Sequence, residues 1–149
     1  MTADNSTPAT PHDYQSGDWV LQDFVGLINK FQLRVGITLQ LNGLTVSGTT
    51  IDGPAYFRQL GDMVAEGMRH SSNISGAADT MREYFACRAN IYADQDSESD
   101  QPLVPATYIH LENAVFWGSD GQTVNQQGAL WRGRLSEVSG FYLGALAKS

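Results

Sequence analysis

The sequence predicts an α+β fold. About five short antiparallel strands form a bent sheet or a partial barrel of the SH3 or Sm kind, flanked by an N-terminal helix and a helical insertion. Three observations predict it. A helical stripe of apolar residues near the start gives way at once to strict alternation from Leu33 to Leu41. A turn dipeptide, Asn42-Gly43, sits between that run and a second apolar run. A capped helical stretch then separates this hairpin from a last third that reads as strands and turns. The likeness to SH3 and Sm barrels rests on the Leu-x-x-Ser-Gly run into the second strand, Leu44 to Gly48, and as a fold-level analogy it says nothing of function.

Taken in order, residues 1–17 are rich in Ser, Thr, Pro and Asp and read as a disordered tail. Order is expected from Asp18, which can cap a helix whose stripe is Val20, Phe24, Leu27, Ile28 and Phe31. Leu33, Val35, Ile37, Leu39 and Leu41 then alternate with polar or small residues, the pattern of a half-buried strand. Asn42-Gly43 predicts a type I′ turn, and Leu44 and Val46 continue the apolar face on the return strand. Leu41 and Leu44 fall opposite each other in that register. Gly48 suggests a bulge or bend.

Asp52-Gly53-Pro54 starts a helix, with Asp as cap and Pro in the first turn, where a missing N–H costs nothing. Its stripe is Phe57, Leu60, Met63, Val64 and Met68. A second helix is expected from about Asn73 to Ile91, with Ile74, Ala78, Met81 and Phe85 on one side. An acidic loop follows over 92–103. Tyr108 to Trp117 reads as a strand with Ile109, Leu111, Val115 and Trp117 on one parity and a break at Asn113. Leu130 to Leu135 and Phe141 to Leu146 read as two more strands. The region 18–149 is expected to form one domain.

Composition excludes several functions. The chain has 149 residues, a net charge of −7, 42% hydrophobic and 17% charged residues. That balance suits a folded chain and opposes indiscriminate binding to nucleic acid or anionic lipid. No run of roughly 20 apolar residues predicts a membrane span, and no secretory signal is visible. A single cysteine, Cys87, fits a reducing compartment, so the expected location is the cytoplasm. In a helix, Cys87 is expected to act as a buried small hydrophobe. Residues 105–149 hold three acids and three bases, so the acid excess lies in 1–104.

No catalytic, cofactor-binding or metal-binding set is assigned. Phosphate-cradling glycine motifs and the nucleophile elbow are missing. His12, His70, His110 and Cys87 lack the spacing of a zinc site. Asp94, Asp96, Glu98 and Asp100 imitate a calcium loop, but Pro105 stands where the bidentate acid belongs. His110 lies between Ile109 and Leu111 on a strand, which predicts a surface side chain. Glu112 and Glu137 could act as a carboxylate pair only if the fold joined them.

The remaining signal is aromatic and cationic. Trp117, Trp131, Arg132, Arg134 and Tyr142 are the candidate partner-binding residues, because Trp, Tyr and Arg dominate protein–protein hot spots. Alternation places Trp131 on one face and Arg132 with Arg134, exposed side by side, on the other. The aromatics could equally be core. Unsealed sheet edges make self-association an expectation as well.

Two blocks resemble a known family. Tyr108-Ile109-His110-Leu111-Glu112-Asn113 and the stretch from Leu130-Trp131-Arg132-Gly133-Arg134 to Phe141-Tyr142-Leu143-Gly144 are similar to the C-terminal part of the gas vesicle accessory protein GvpU family. The hairpin from Ile37 to Thr49, followed by the helix near Ala55-Tyr56-Phe57, resembles it too, and the likeness runs from about Phe24 to Leu146. The resemblance implies a small accessory protein, neither shell protein nor enzyme, that contacts gas vesicle shell or other gas vesicle proteins and affects assembly or clustering. Two alternatives stand beside it: an Sm-like oligomeric RNA binder, and a small-ligand domain with a site near Glu112, Glu137 and His110.

Overall fold

The computed structural model describes residues 17–71, 76–95 and 105–146. In chain order these form α1 (Trp19–Phe31), β1 (Gly36–Leu41), β2 (Leu44–Ile51), α2 (Gly53–Ser71) and α3 (Ala77–Ala89). A 3-10 turn (Asn90–Gln95) follows α3. The remainder is β3 (Tyr108–Gly118), β4 (Ala129–Arg134), a second 3-10 turn (Leu135–Glu137) and β5 (Val138–Leu143). This is an α+β architecture on one antiparallel sheet with the order β4-β3-β2-β1-β5. Residues 1–16 of the tail read over 1–17, most of the acidic loop, the helix start at Asn73-Ile74 and the last three residues lie outside the described residues.

The connection between the two edge strands forces the sheet to curl. Laid flat, β4 and β5 would stand about 19 Å apart across three intervening strands. The chain crosses from Arg134 to Val138 through a single three-residue 3-10 turn, which rises only about 2 Å per residue. At that end the edges must therefore approach each other. Leu135 and Val138, which flank the crossing, are buried and join the core.

One face of the sheet packs on α1. Ile37, Leu39, Val46, Ile109, Leu111 and Ala114 meet Leu21, Val25 and Ile28. Burial of each large aliphatic side chain contributes about 1.5–3 kcal/mol. The helix begins where expected, with Asp18 accepting from the N–H of Val20 (2.9 Å) and Leu21 (3.4 Å). Its stripe is turned relative to the expectation. Leu21, Val25 and Ile28 point inward with Phe24 half-buried, whereas Val20, Leu27 and Phe31 are exposed. The helix carries two apolar stripes of equal spacing, and Gln22 lies buried on the inward side, where its amide donates to the carbonyl of Ala106 (2.9 Å).

The other face, expected to meet solvent, is covered by the α2–α3 hairpin and by the segment after β5. Ile51, Ala55, Tyr56 and Phe57 form a second core with Leu60, Phe85, Tyr92 and Leu130 packed around it. Asp52 caps α2 through the N–H of Ala55 (3.1 Å), and Asn29 of α1 accepts from the N–H of Gly53 (2.9 Å). Met63, expected in the stripe of α2, is exposed. Thr38 and Ser47, on the same sheet face, bond each other and then hold the segment after β5. Thr38 donates to Gly144, and Ser47 accepts from the N–H of Leu146.

Four local expectations change. The strand pair Leu41 and Leu44 is in register, but only Gly43 of the turn has positive φ (+74°). Asn42 avoids the left-handed region that type I′ demands, so the φ pattern is that of type II, where glycine alone supplies the strain-free residue. Tyr92, expected in the acidic loop, lies in the 3-10 turn with its ring against Gly53. Cys87 is exposed rather than buried, because α3 buries none of its residues fully. The last strand also ends earlier than read, at Leu143.

The features expected at Gly48 and Asn113 are one bulge. Asn113 has φ +54° and is an extra residue on β3 relative to both neighbours, since pairing jumps from Leu111 to Ala114 against β4 and from Glu112 to Val115 against β2. Glycines stand on both sides of it. A Cβ at Gly48 would lie 2.9 Å from the Glu112 carbonyl oxygen, and one at Gly128 would lie 2.7 Å from the Asn113 Cα. The bulge reverses the parity of β3. Ala114 and Phe116, not Val115 and Trp117, continue the α1-facing row of Ile109 and Leu111.

Candidate interaction site on the β4 edge

The register of β3 and β4 places Tyr108 opposite Arg134 and His110 opposite Arg132. All four side chains share the face covered by α2, because Ile109, Leu111 and Trp131 take the other. His110 is 1% exposed and lies against the rings of Tyr56 (4.5 Å), Phe57 (6.0 Å) and Tyr92 (6.2 Å). The sequence reading put it on the surface. It does point away from Ile109 and Leu111, but the start of α2 closes over it.

Neither ring nitrogen of His110 has a hydrogen-bond partner among the described residues. Burial lowers its pKa from 6.5 to about 3, with the positive Arg132 nearby adding to the effect. The imidazole is therefore neutral at neutral pH. Burial likewise raises the phenol pKa of Tyr56 and Tyr92, against the opposing pull of Arg132. The cage is thus built from uncharged rings.

Arg132 closes the outer side of that cage. Its guanidinium sits 3.8 Å from the centre of the Tyr108 ring and 5.3 Å from that of Phe57. It is half-buried rather than fully exposed, a correction caused by these two rings. Arg134 is exposed. Hydrogen bonding and charge from Arg134, and then from Arg132, hold the Tyr108 phenol below its ordinary pKa. Among the described residues, no carboxylate forms an ion pair with either arginine. The nearby acid Glu112 is taken by Arg34 and by Gln59, whose amide donates to it (3.3 Å). Glu137 lies apart in the exposed 3-10 turn, so no carboxylate pair forms between them.

The five candidate residues do not gather into one patch. Trp131 packs edge-on against Phe116 (6.4 Å) at the α1-facing core, on the opposite side of β4 from Arg132 and Arg134. Its ring also folds over Gly133, where a Cβ would lie 2.1 Å from it. Trp117 sits half-buried near the end of β3, bridged to Thr123. Tyr142 is exposed on β5, the other edge of the sheet. Two residues that the sequence reading missed, Tyr108 and Phe57, complete the arginine site. Their part depends on the β3–β4 register and on where α2 docks, and neither is local in sequence.

Among the described residues, no helix is long and apolar enough to cross a membrane, and no group of three His, Cys, Asp or Glu side chains could hold a metal ion.

The class of protein is thus α+β, one five-stranded antiparallel sheet with helices on both faces, whose outer strands β4 and β5 pair with no further strand among the described residues. Residues 18–146 match the family described as gas vesicle protein GvpU-like, and the chain belongs to that family. No curated protein and no solved structure matches the chain.

Proposed function

We propose that the chain is a non-enzymatic gas vesicle accessory protein that works in the cytoplasm by contacting gas vesicle shell or other gas vesicle proteins, and so affects vesicle assembly or clustering. The observation that carries this reading is the family match over 18–146, nearly all of the described chain. Two features support it. The acid excess lies outside residues 105–149, so the strand-rich end is formally neutral and free to meet protein. The edge strand β5, Val138-Ser139-Gly140-Phe141-Tyr142-Leu143, carries neither charge nor proline, the usual guards of a free edge.

Pairing of β5 between two copies would give a bivalent particle able to bridge vesicles. Dispersed gas vesicles mixed with the purified chain test the reading. Clusters should form in proportion to added protein, and light scattering of the protein alone should give a mass above that of one chain. Vesicles that stay dispersed, with a strictly monomeric protein, would reject the bridging role.

A further inference from the structure

The hydrogen-bond phase of β4 determines what its outer edge offers. The N–H of Leu135 donates to the carbonyl of Thr107 (2.9 Å), which continues the β3–β4 register one step beyond Tyr108 and Arg134. In an antiparallel pair, successive residues direct both backbone polar groups alternately toward the partner and away from it. Leu135, Gly133 and Trp131 therefore turn toward β3. Arg134 and Arg132 turn their N–H and C=O outward, to an edge that pairs with no strand among the described residues.

The same two residues carry guanidinium groups that contact the Tyr108 phenol but form no ion pair with a carboxylate among the described residues, both on the α2 side of the sheet. Backbone pairing capacity and positive charge thus coincide at i and i+2. Arg132 is already held in place by stacking on Tyr108 and Phe57, so little of its freedom is left to lose on binding.

We propose that the outer edge of β4 binds an extended segment of a partner protein that carries carboxylates at alternate positions. Its backbone pairs with Arg132 and Arg134, and its carboxylates, on the same face and directly opposite, take the two guanidinium groups. The geometry selects spacing as well as charge. Side chains at alternate positions of an added strand share one face, whereas neighbouring acids would place one carboxylate on the wrong side. The protein's own charge of −7 disfavours a polyanion without such spacing. The proposal rests on the reading of the chain as a protein-interaction module.

The test uses the full chain and a labelled ten-residue peptide with Asp at alternate positions and Thr or Val between them. Fluorescence anisotropy should show saturable binding that weakens with salt. Arg134→Ala, at an exposed site, should weaken it several-fold, and Arg132→Ala/Arg134→Ala by on the order of tenfold or more. A peptide of equal composition with Asp at positions 1, 2, 5, 6 and 9, so that no two stand at i and i+2, and one N-methylated on the amides facing β4, should each bind on the order of tenfold more weakly. Because Arg132 also braces Phe57, circular dichroism accompanies its variant, and Arg134→Ala alone decides if that variant unfolds. Equal binding by wild type and Arg134→Ala, equal binding of the peptide that has no two Asp at i and i+2, or preference for single-stranded RNA would overturn the proposal. If gas vesicles bind the chain while the peptide does not, the β4 proposal fails and the broader reading stands. If the peptide binds and vesicles do not, the reverse holds.

Discussion

His110 and Arg132 are direct cross-strand neighbours, yet one is a sealed, uncharged ring and the other a cation at the rim of the same aromatic cage. Burial keeps the imidazole uncharged, the guanidinium adds to that effect, and the uncharged cage offers the guanidinium rings rather than an anion.

That relationship makes stability depend on acid. The folded pKa of His110 is about 3, below the ordinary 6.5 of the unfolded chain. The unfolded state therefore binds one more proton between these values. The contribution is complete above pH 6.5 and is lost progressively as pH falls toward 3, at about 1.4 kcal/mol per pH unit. His110→Phe keeps a ring in the cage and removes both unpaired nitrogens. Urea unfolding should find the variant at least as stable as wild type at pH 7, and about 2 kcal/mol less sensitive to a change from pH 6.5 to 5. Parallel pH profiles for both proteins would refute the assignment.

Gly53 and Tyr92 test how the cage is closed. A Cβ at Gly53 would lie 2.2 Å from the Tyr92 ring, so Gly53→Ala must displace it. The expected cost is about 1–3 kcal/mol by thermal unfolding. In a Tyr92→Ala background the same substitution should cost almost nothing, because the obstruction is gone. An equal cost in both backgrounds would place the strain elsewhere.

The bulge at Asn113 predicts an ordering of substitutions. Asn113→Gly should be near neutral or stabilising at its φ of +54°, whereas Asn113→Val should cost about 1–2 kcal/mol or more. Gly128→Ala, which meets the Asn113 backbone, should also destabilise. Chemical denaturation of the three variants checks the order, and a tolerated valine would contradict it.

Much of this fold was legible in the sequence because its signals are local. The Leu33–Leu41 alternation, the Asp18 and Asp52 caps and the Leu41–Leu44 register all follow from neighbours in the chain. Gly48 and Asn113 were each marked, but only pairing shows that they are one bulge, and the bulge reverses Val115 and Trp117. The role of His110 was not legible. Period-two reasoning gives a side chain its face, but it cannot say whether that face is solvated or covered. The arginine site was half legible: Arg132 and Arg134 share a face, as alternation requires, while Tyr108 and Phe57 reach them through a non-local register and helix docking.

The central claim is that this chain binds gas vesicles directly, and flotation tests it most plainly. Purified protein is mixed with intact gas vesicles, and the buoyant layer is separated and assayed for the chain. The account predicts that the chain rises with the vesicles, saturates as its concentration increases, and rises less when Arg132 and Arg134 are replaced by alanine. A wild-type chain that remains in the liquid below at every vesicle concentration would contradict it.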